Sequence, residues 1–293
     1  MNIAVFTKNA TNPAYAAFRI AADQVARAAG ARVTHFVPRK PDDVDEQKAM
    51  VEQVLKDRPD VVIFIPVDDV AMVDSVKKLN AAKIPVVLAS NPLPGSFVTY
   101  VGADDFAIGY REARYLFEKL GGKGKIVVIE GTPAAPTNRA RLRGYQRAFG
   151  EFPGIQVLGS GIGNYQQVDA RRVMEKFLTE HKEIDAVLSA NDSMALGVLE
   201  ALKAASRTAI VIGINGILPA VKQIETGGML ATVDFNMFKI GCTAARAAVR
   251  HLRKEPLPEK VMLPAEVIDK TNYKAWLVPV DQRTCPEWAD VAR

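Results

Sequence analysis

Ile65-Pro66-Val67-Asp68-Asp69-Val70-Ala71-Met72 runs into a helical pattern and then into Pro85-Val86-Val87-Leu88-Ala89-Ser90-Asn91. The arrangement returns 124 residues later as Ser189-Ala190-Asn191-Asp192-Ser193-Met194-Ala195-Leu196, a helical pattern, and Ala209-Ile210-Val211-Ile212-Gly213-Ile214-Asn215. Asp68 falls on Asp192, Ala71 on Ala195 and Asn91 on Asn215 without a gap. Each copy is a βαβ unit that places polar residues just past a buried strand. Two such units predict a two-lobed α/β protein with a cleft between the lobes, because open parallel sheets take ligands outside the carboxyl ends of their strands.

Outward from these stretches, short β-branched runs alternate with 3.6-period segments. The first unit opens with a strand at Ile3–Phe6, a helix from about Pro13 to Ala29 and a strand at Ala31–Val37. Asn12 caps that helix, Pro13 holds its first position and Gly30 lies past its end. A helix over about 43–56, strand Val61–Ile65, a helix over about 70–81 and strand Pro85–Ala89 follow, with a short segment at Phe97–Val101. The runs are apolar on both faces, as strands covered by helices on two sides must be. Beyond a helix near Phe106–Leu120, Gly121-Gly122-Lys123-Gly124 breaks the chain and the pattern restarts at Lys125–Glu130. Its last strand is expected at Val261–Ile268, and Tyr273–Arg293 reads as a tail on the surface. Strict alternation of this kind implies right-handed crossovers and doubly wound sheets.

At 293 residues the chain exceeds the size at which one core stops growing, which also argues for two lobes. No apolar run approaches the ~20 residues that span a bilayer. Met1 is followed at once by the first strand, so the chain reads either as cytoplasmic or as a secreted protein without its leader. The net charge of +5 is modest and its 38 basic residues are spread out, which suits a solvated surface and argues against a nucleic-acid face. His35, His181 and His251 have no metal-ligand spacing, and two cysteines make neither a CxxC pair nor a structural zinc site, so no metal or cofactor is expected.

Enzyme signatures fail on spacing. Gly159-Ser160-Gly161-Ile162-Gly163 is misplaced for a dinucleotide turn, and Gly121-Gly122-Lys123-Gly124-Lys125 precedes a strand where a phosphate loop precedes a helix; both read as ordinary turns. No nucleophile elbow or zinc-protease motif is present, and no catalytic residue is assigned. The residues that stand out lie where strands end: Lys8, Asn12, Ala14 and Tyr15, then Ser90 and Asn91, and in the second half Asn191, Asp192, Asn215 and Phe235. Asn, Ser and Lys supply directional hydrogen bonds, while Tyr and Phe supply flat apolar faces. That mixture fits a small polyhydroxylated ligand. Singly, each has a simpler reading: Asn12 as a cap, Asn191 and Asn215 as turn formers, Phe235 as core. Joint placement at strand ends favours a site.

At these residues the chain resembles the periplasmic sugar-binding proteins of ABC transporters, ribose-binding type, which are related to the ligand domain of lac-repressor-like regulators. The resemblance spans about Asn2 to Asn272. It rests on Thr11-Asn12-Pro13, Asn191-Asp192-Ser193-Met194-Ala195-Leu196-Gly197, Val211-Ile212-Gly213-Ile214-Asn215-Gly216 and Leu230-Ala231-Thr232. It implies a type 1 periplasmic-binding-protein fold, α/β, with two doubly wound parallel-sheet lobes joined by a three-stranded hinge. The crossings would fall near Ala103-Asp104, Phe235-Asn236 and Pro264-Ala265. The N-terminal lobe would then be residues 1–103 plus 236–264, and the C-terminal lobe 104–235 plus 265–293 with its surface tail. The ligand shell would be Lys8, Asn12, Ala14, Tyr15, Ser90, Asn91, Arg139, Tyr165, Asn191, Asn215 and Phe235. Where the ribose-type pattern has carboxylates, this chain has Ser90-Asn91 and Asn215, which argues against ribose itself.

The function so implied is that of a monomeric solute-binding component of an ABC importer. It would bind a small carbohydrate-like ligand in the inter-lobe cleft, close by hinge motion and serve a permease in the inner membrane from the periplasm. The alternatives are the effector domain of a lac-repressor-type regulator and a binding protein for a sugar acid or other small anion. A regulator would carry a DNA-binding module of about sixty residues ahead of the first strand, and here strand one begins at residue 3. Lys8 and Arg139 together call for an anion, either a neighbouring acid such as Asp234, Asp104 or Asp105, or one on the ligand. Cys242 and Cys285 either pair in an oxidising compartment, stapling the tail across 42 intervening residues, or remain two free buried thiols.

Overall fold

The computed structural model describes residues Met1–Val291. In chain order the elements begin with β1 (Asn2–Phe6), α1 (Pro13–Ala28), β2 (Arg32–Phe36), α2 (Val44–Asp57), β3 (Val61–Phe64), α3 (Val73–Ala81), β4 (Val86–Ala89) and β5 (Thr99–Gly102). Next come α4 (Asp105–Lys119), β6 (Lys123–Glu130), α5 (Pro136–Glu151), β7 (Gly154–Ile162), α6 (Gln167–Glu180), β8 (Ala186–Ser189), α7 (Asp192–Ala204), β9 (Ile210–Ile214), α8 (Leu218–Thr226) and β10 (Ala231–Asp234). The chain finishes with α9 (Met237–Leu252), β11 (Lys260–Met262), β12 (Glu266–Asp269), 3-10 turns at Tyr273–Leu277 and Val280–Gln282, and α10 (Trp288–Val291).

Two compact units result. One holds Met1–Ala103, Asn236–Pro264 and the segment from Val280 onward; the other holds Asp104–Phe235 and Ala265–Pro279. Their sheets run β11-β5-β4-β3-β1-β2 and β12-β10-β9-β8-β6-β7, the same doubly wound order twice, which is the repeat of the sequence expressed as topology. In the first sheet all neighbours are parallel; in the second, β12 runs antiparallel to β10. Within the first unit Ala4, Phe6, Val62, Phe64, Val86 and Leu88 pack on Val51 and Val54 of α2 and Val76 and Leu79 of α3. The alternate strand residues Ile3, Val5, Val61, Ile63 and Val87 are equally buried, as period-2 side chains of a doubly covered sheet must be. The core of the second unit is built likewise, with Ile126, Val128, Leu188 and Ile212 against Ala113, Leu116 and Phe117 of α4 and Tyr145 and Ala148 of α5.

Several sequence expectations need correction. The segment from Val261 to Ile268 is two strands, one in each unit, separated around Pro264, which cannot donate to a ladder. Gly159-Ser160-Gly161 is no turn but lies within β7: a Cβ at Gly159 would meet Phe177 at 2.8 Å and one at Gly161 would meet Val173 at 2.4 Å, so the glycines admit α6 onto the strand. Helix α3 starts at Val73 and not at Val70, because the Asp68 carboxylate accepts from the Val70 and Ala71 amides at 2.8 and 2.6 Å and holds a turn there. The tail divides. Residues up to Pro279 belong to the second unit, whereas the segment from Val280 belongs to the first, so the chain passes between units four times. The expected extent of the tail includes residues 292–293, which lie outside the described residues. Cys242 and Cys285 form a disulfide, and Cys285 and Val280 pack on Ala17, Ala21 and Phe238.

Candidate functional site

In the first unit the groups of interest follow β1 and β4. Lys8 is buried, and its Nζ lies 3.8 Å from Oδ1 of Asp42, which also accepts from Asn9 Nδ2 at 3.1 Å. The Asp42 amide donates to the Lys8 carbonyl at 3.1 Å, so this acid, 34 positions away, is fixed to the lysine at both backbone and side chain. Asn12 caps α1, its Oδ1 accepting from the Ala14 amide at 3.0 Å, and its own amide donates to Asn9 Oδ1 at 3.0 Å. Ala14 is buried and Tyr15 half-buried on the first turn of that helix. Ser90 has φ +59°, a left-handed conformation that side chains disfavour; it is held by Tyr100, whose hydroxyl donates to the Ser90 carbonyl at 2.8 Å. Asn91 donates to the Pro66 carbonyl at 2.9 Å and so ties the exit of β4 to the exit of β3. Gln47, wholly buried on α2, clamps the β3 exit from the other side through Ile65 O and Val67 N at 3.0 and 2.9 Å.

The second unit gathers its groups around Arg141. This guanidinium is buried, donates from Nε to Asp105 Oδ1 at 2.9 Å and from Nη1 to the Ala190 carbonyl at 2.6 Å, and lies 5.3 Å from the Phe235 ring and 6.0 Å from the Tyr165 ring. Burial opposes its charge, but Asp105 together with Tyr165 and Tyr145 outweighs that and raises its pKa above the ordinary arginine value. Tyr165 has φ +59° and its hydroxyl shares a 3.0 Å hydrogen bond with Thr137 Oγ1. Gly131 leaves room for that ring, because a Cβ there would fall 2.1 Å from it. Asn191 caps α7 through the Met194 amide at 2.8 Å and donates to the Tyr165 carbonyl at 3.3 Å. Its cap role and its place beside Tyr165 thus coexist.

Asn215 has φ +133° and Gly216 φ +67°, an uncommon backbone that a buried network stabilises. Asp192 accepts from the Ile217 amide at 3.0 Å and from Thr232 Oγ1 at 2.7 Å, and Thr232 Oγ1 in turn accepts from the Gly216 amide at 3.2 Å. Burial, reinforced by the charge of Asp234, pushes the Asp192 carboxyl up to about 7 against the pull of those hydrogen bonds. Deeper in this unit burial raises Glu112 well above the carboxylate range although Tyr145 donates to it at 2.5 Å, and Glu112 Oε1 has no hydrogen-bond partner among the described residues.

Of the expected shell, the first unit brings together Lys8, Asn12 and Tyr15 after β1 and Ser90 and Asn91 after β4, while the second brings together Tyr165, Asn191 and Phe235, with Asn215 after β9. Arg139 lies on a different face of α5 from Arg141. It is exposed, with Nη1 on the Ala134 carbonyl, because two residues along a helix turn the side chain by about 200° to the opposite face. Arg141 takes the interior position instead. The spacing could have found it, since Asn138, Arg141, Tyr145 and Ala148 recur at three- and four-residue steps along α5. Asp42, Asn9 and Thr137 carry no comparable local signal. Among the described residues no group of His, Cys, Asp and Glu could hold a metal ion, and no helix is long and apolar enough to cross a membrane.

Comparison with known proteins bears on this arrangement. The sequence profile of the periplasmic binding protein domain matches residues 3–256. The ribose import binding protein of Bacillus subtilis (strain 168) is 28% identical over 268 residues, which cover 91% of this chain and 86% of that protein. An ABC transporter periplasmic solute binding protein from Actinobacillus succinogenes 130z, with bound D-allose, matches with a TM-score of 0.88 at 28% identity, covering 94% of this chain and 99% of that one. An ABC transporter solute binding protein from Bacillus halodurans C-125, with bound myo-inositol, matches at 0.87 and 26%, covering 94% and 96%.

Proposed function

The chain belongs to the periplasmic binding protein family, and from that membership we propose that it carries a small neutral sugar or polyol to an ABC permease in the periplasm, as a monomer and without chemistry. The observation that supports a neutral ligand is the charge balance at the strand ends: Lys8 sits against Asp42 and Arg141 against Asp105. Each buried cation has its carboxylate within its own unit, so no anion on the ligand is needed to offset it. The ligand takes hydrogen bonds from Asn12, Ser90 and Asn91 of the first unit and from Arg141, Asn191 and Asn215 of the second. Tyr15, Tyr165 and Phe235 offer their faces to its carbon skeleton. Arg139 has no part in this reading. The named ligands of the relatives, ribose, D-allose and myo-inositol, are neutral polyhydroxylated molecules.

Thermal-shift and calorimetric titration with ribose, D-allose, xylitol and myo-inositol, beside gluconate and galacturonate, tests this. Neutral members should raise the melting temperature, since a ligand that binds only the folded state stabilises it by mass action. Binding confined to the acids would overturn the neutral reading in favour of a small-anion carrier.

A further inference from the structure

The segment after β12 is anchored twice. In the second unit Trp276 Nε1 donates to Asp234 Oδ2 at 2.7 Å, on the residue immediately before Phe235. In the first unit Cys285 is bonded to Cys242 of α9, Gln24 donates to the Asp281 carbonyl at 3.2 Å, and Arg246 grips Glu287 with two hydrogen bonds at 2.9 and 3.3 Å. Farther along, Trp288 lies under the Arg250 guanidinium at 5.0 Å. The chain's passage from the second unit to the first at Phe235–Asn236 falls between the two anchored partners, Asp234 and Cys242, and its passage at Pro279–Val280 falls between Trp276 and Cys285. Two stretches of chain, 234–242 and 276–285, are therefore tied to each other on either side of a change of unit. Asn236, two residues after Asp234, has φ +62°, a left-handed conformation from which its side chain caps α9.

We infer that residues 276–285 are a strap that doubles the Phe235–Asn236 connection, making Trp276 a positioning residue for Phe235 and making the order of the β10 exit in one unit depend on a disulfide in the other. A tail that merely covered surface would need only one anchor, whereas this one is held in both units. Removing either pin leaves the Phe235–Asn236 connection held by the β10–β12 pairing at Asp234 and by the Arg141 contact with Phe235, so binding carries more of its ordering entropy and weakens. The affinity arm of this inference rests on the sugar-binding reading; the structural arm does not.

Hydrogen exchange of the Ala231–Asn236 amides, measured on the full chain, decides. Trp276→Phe and the double variant Cys242→Ser/Cys285→Ser should each speed exchange there, as should treating the wild type with dithiothreitol. Each should also weaken D-allose binding by at least about fivefold, the low end of ordinary coupling between sites. Unchanged β10 exchange in both the disulfide-free variant and the reduced wild type would overturn the strap, even where the melting temperature falls. If wild-type protein binds no D-allose, that result counts against the sugar reading, and the exchange data still decide the strap.

Discussion

Replacing Arg141 by Ala removes the group around which the second unit arranges Asp105, Ala190, Tyr165 and Phe235. Its side chain is 4% exposed and that of Asp105 11%, so solvent screens the pair little. Without the guanidinium, Asp105 loses its buried Arg141 partner in a unit that already buries Glu112 and Asp192. Breaking a buried pair from one side costs about 3–5 kcal/mol. The Ala190 carbonyl also loses its donor, but the same guanidinium serves both, so the two losses overlap and are not summed. Against a total stability of about 5–15 kcal/mol, a loss of that size is a large fraction of what holds the unit folded. With a urea slope of about 2 kcal/mol per molar, it lowers the midpoint by about 2 M. Arg141→Lys keeps the charge and forfeits the planar fork, so a smaller shift is expected. Arg139→Ala, on the exposed face of α5, should stay within about 0.5 kcal/mol of wild type. The assay is urea unfolding followed by the fluorescence of Trp276, which lies in the second unit, in a Trp288→Phe background that silences the first. Two units can unfold in separate steps, so the probe must belong to the unit in question. Equal shifts for Arg139→Ala and Arg141→Ala, or none for Arg141→Ala, would refute the assignment.

Two further outcomes follow from the same unit. Gly131→Ala drives a methyl into the Tyr165 ring, breaks its bond to Thr137 and should cost about 1–3 kcal/mol; calorimetry would show a lower melting temperature, and adding Tyr165→Ala should recover part of it, whereas simple additivity of the two losses would contradict the packing. Asp192 holds its proton to about pH 7 in the folded chain against an ordinary value of 3.8, so the folded state binds more protons between those limits. Its contribution to stability is therefore full below about pH 4 and declines as pH rises to 7; melting temperatures of wild type minus Asp192→Asn should fall across that window, and a pH-independent difference would exclude the linkage.

The fold was legible because its strands are β-branched runs buried on both faces, and because an ungapped repeat forces the two halves into like topologies. Pro264 shows where such reading stops. Lys260–Met262 and Glu266–Asp269 look like one run, and only their pairing partners, β5 and β10, reveal that they serve different sheets. Gly159 and Gly161 carry turn chemistry in their side-chain-free backbones, yet the demand on them comes from α6 pressing on β7, a tertiary fact. At the candidate site, positions immediately after strands were readable from strand ends alone. On α5 the helix face separates the two arginines, since Arg141 shares the buried stripe of Asn138, Tyr145 and Ala148 and Arg139 does not. Asp42 was beyond reach, since nothing near Lys8 in sequence announces which acid will neutralise it.

The discontinuity of the first unit has a consequence for the order in which the protein can mature on the ribosome. Helix α9 packs against α1, so closely that a Cβ at Gly241 would meet the Phe18 carbonyl at 2.5 Å, and β11 completes the sheet beyond β5. Both come from residues after 236, so the first hundred residues emerge long before the pieces that cover them. The stretches 1–103 and 104–235 each hold five of the six strands of their own sheets, but only the first lacks a helix of its core, α9, which the chain supplies after residue 236. The usual expectation that the N-terminal domain folds first is therefore reversed here: the later-translated unit can consolidate while the face of α1 bearing Ala17, Phe18 and Ala21 still waits, apolar and uncovered, in need of chaperone shelter until translation is nearly done.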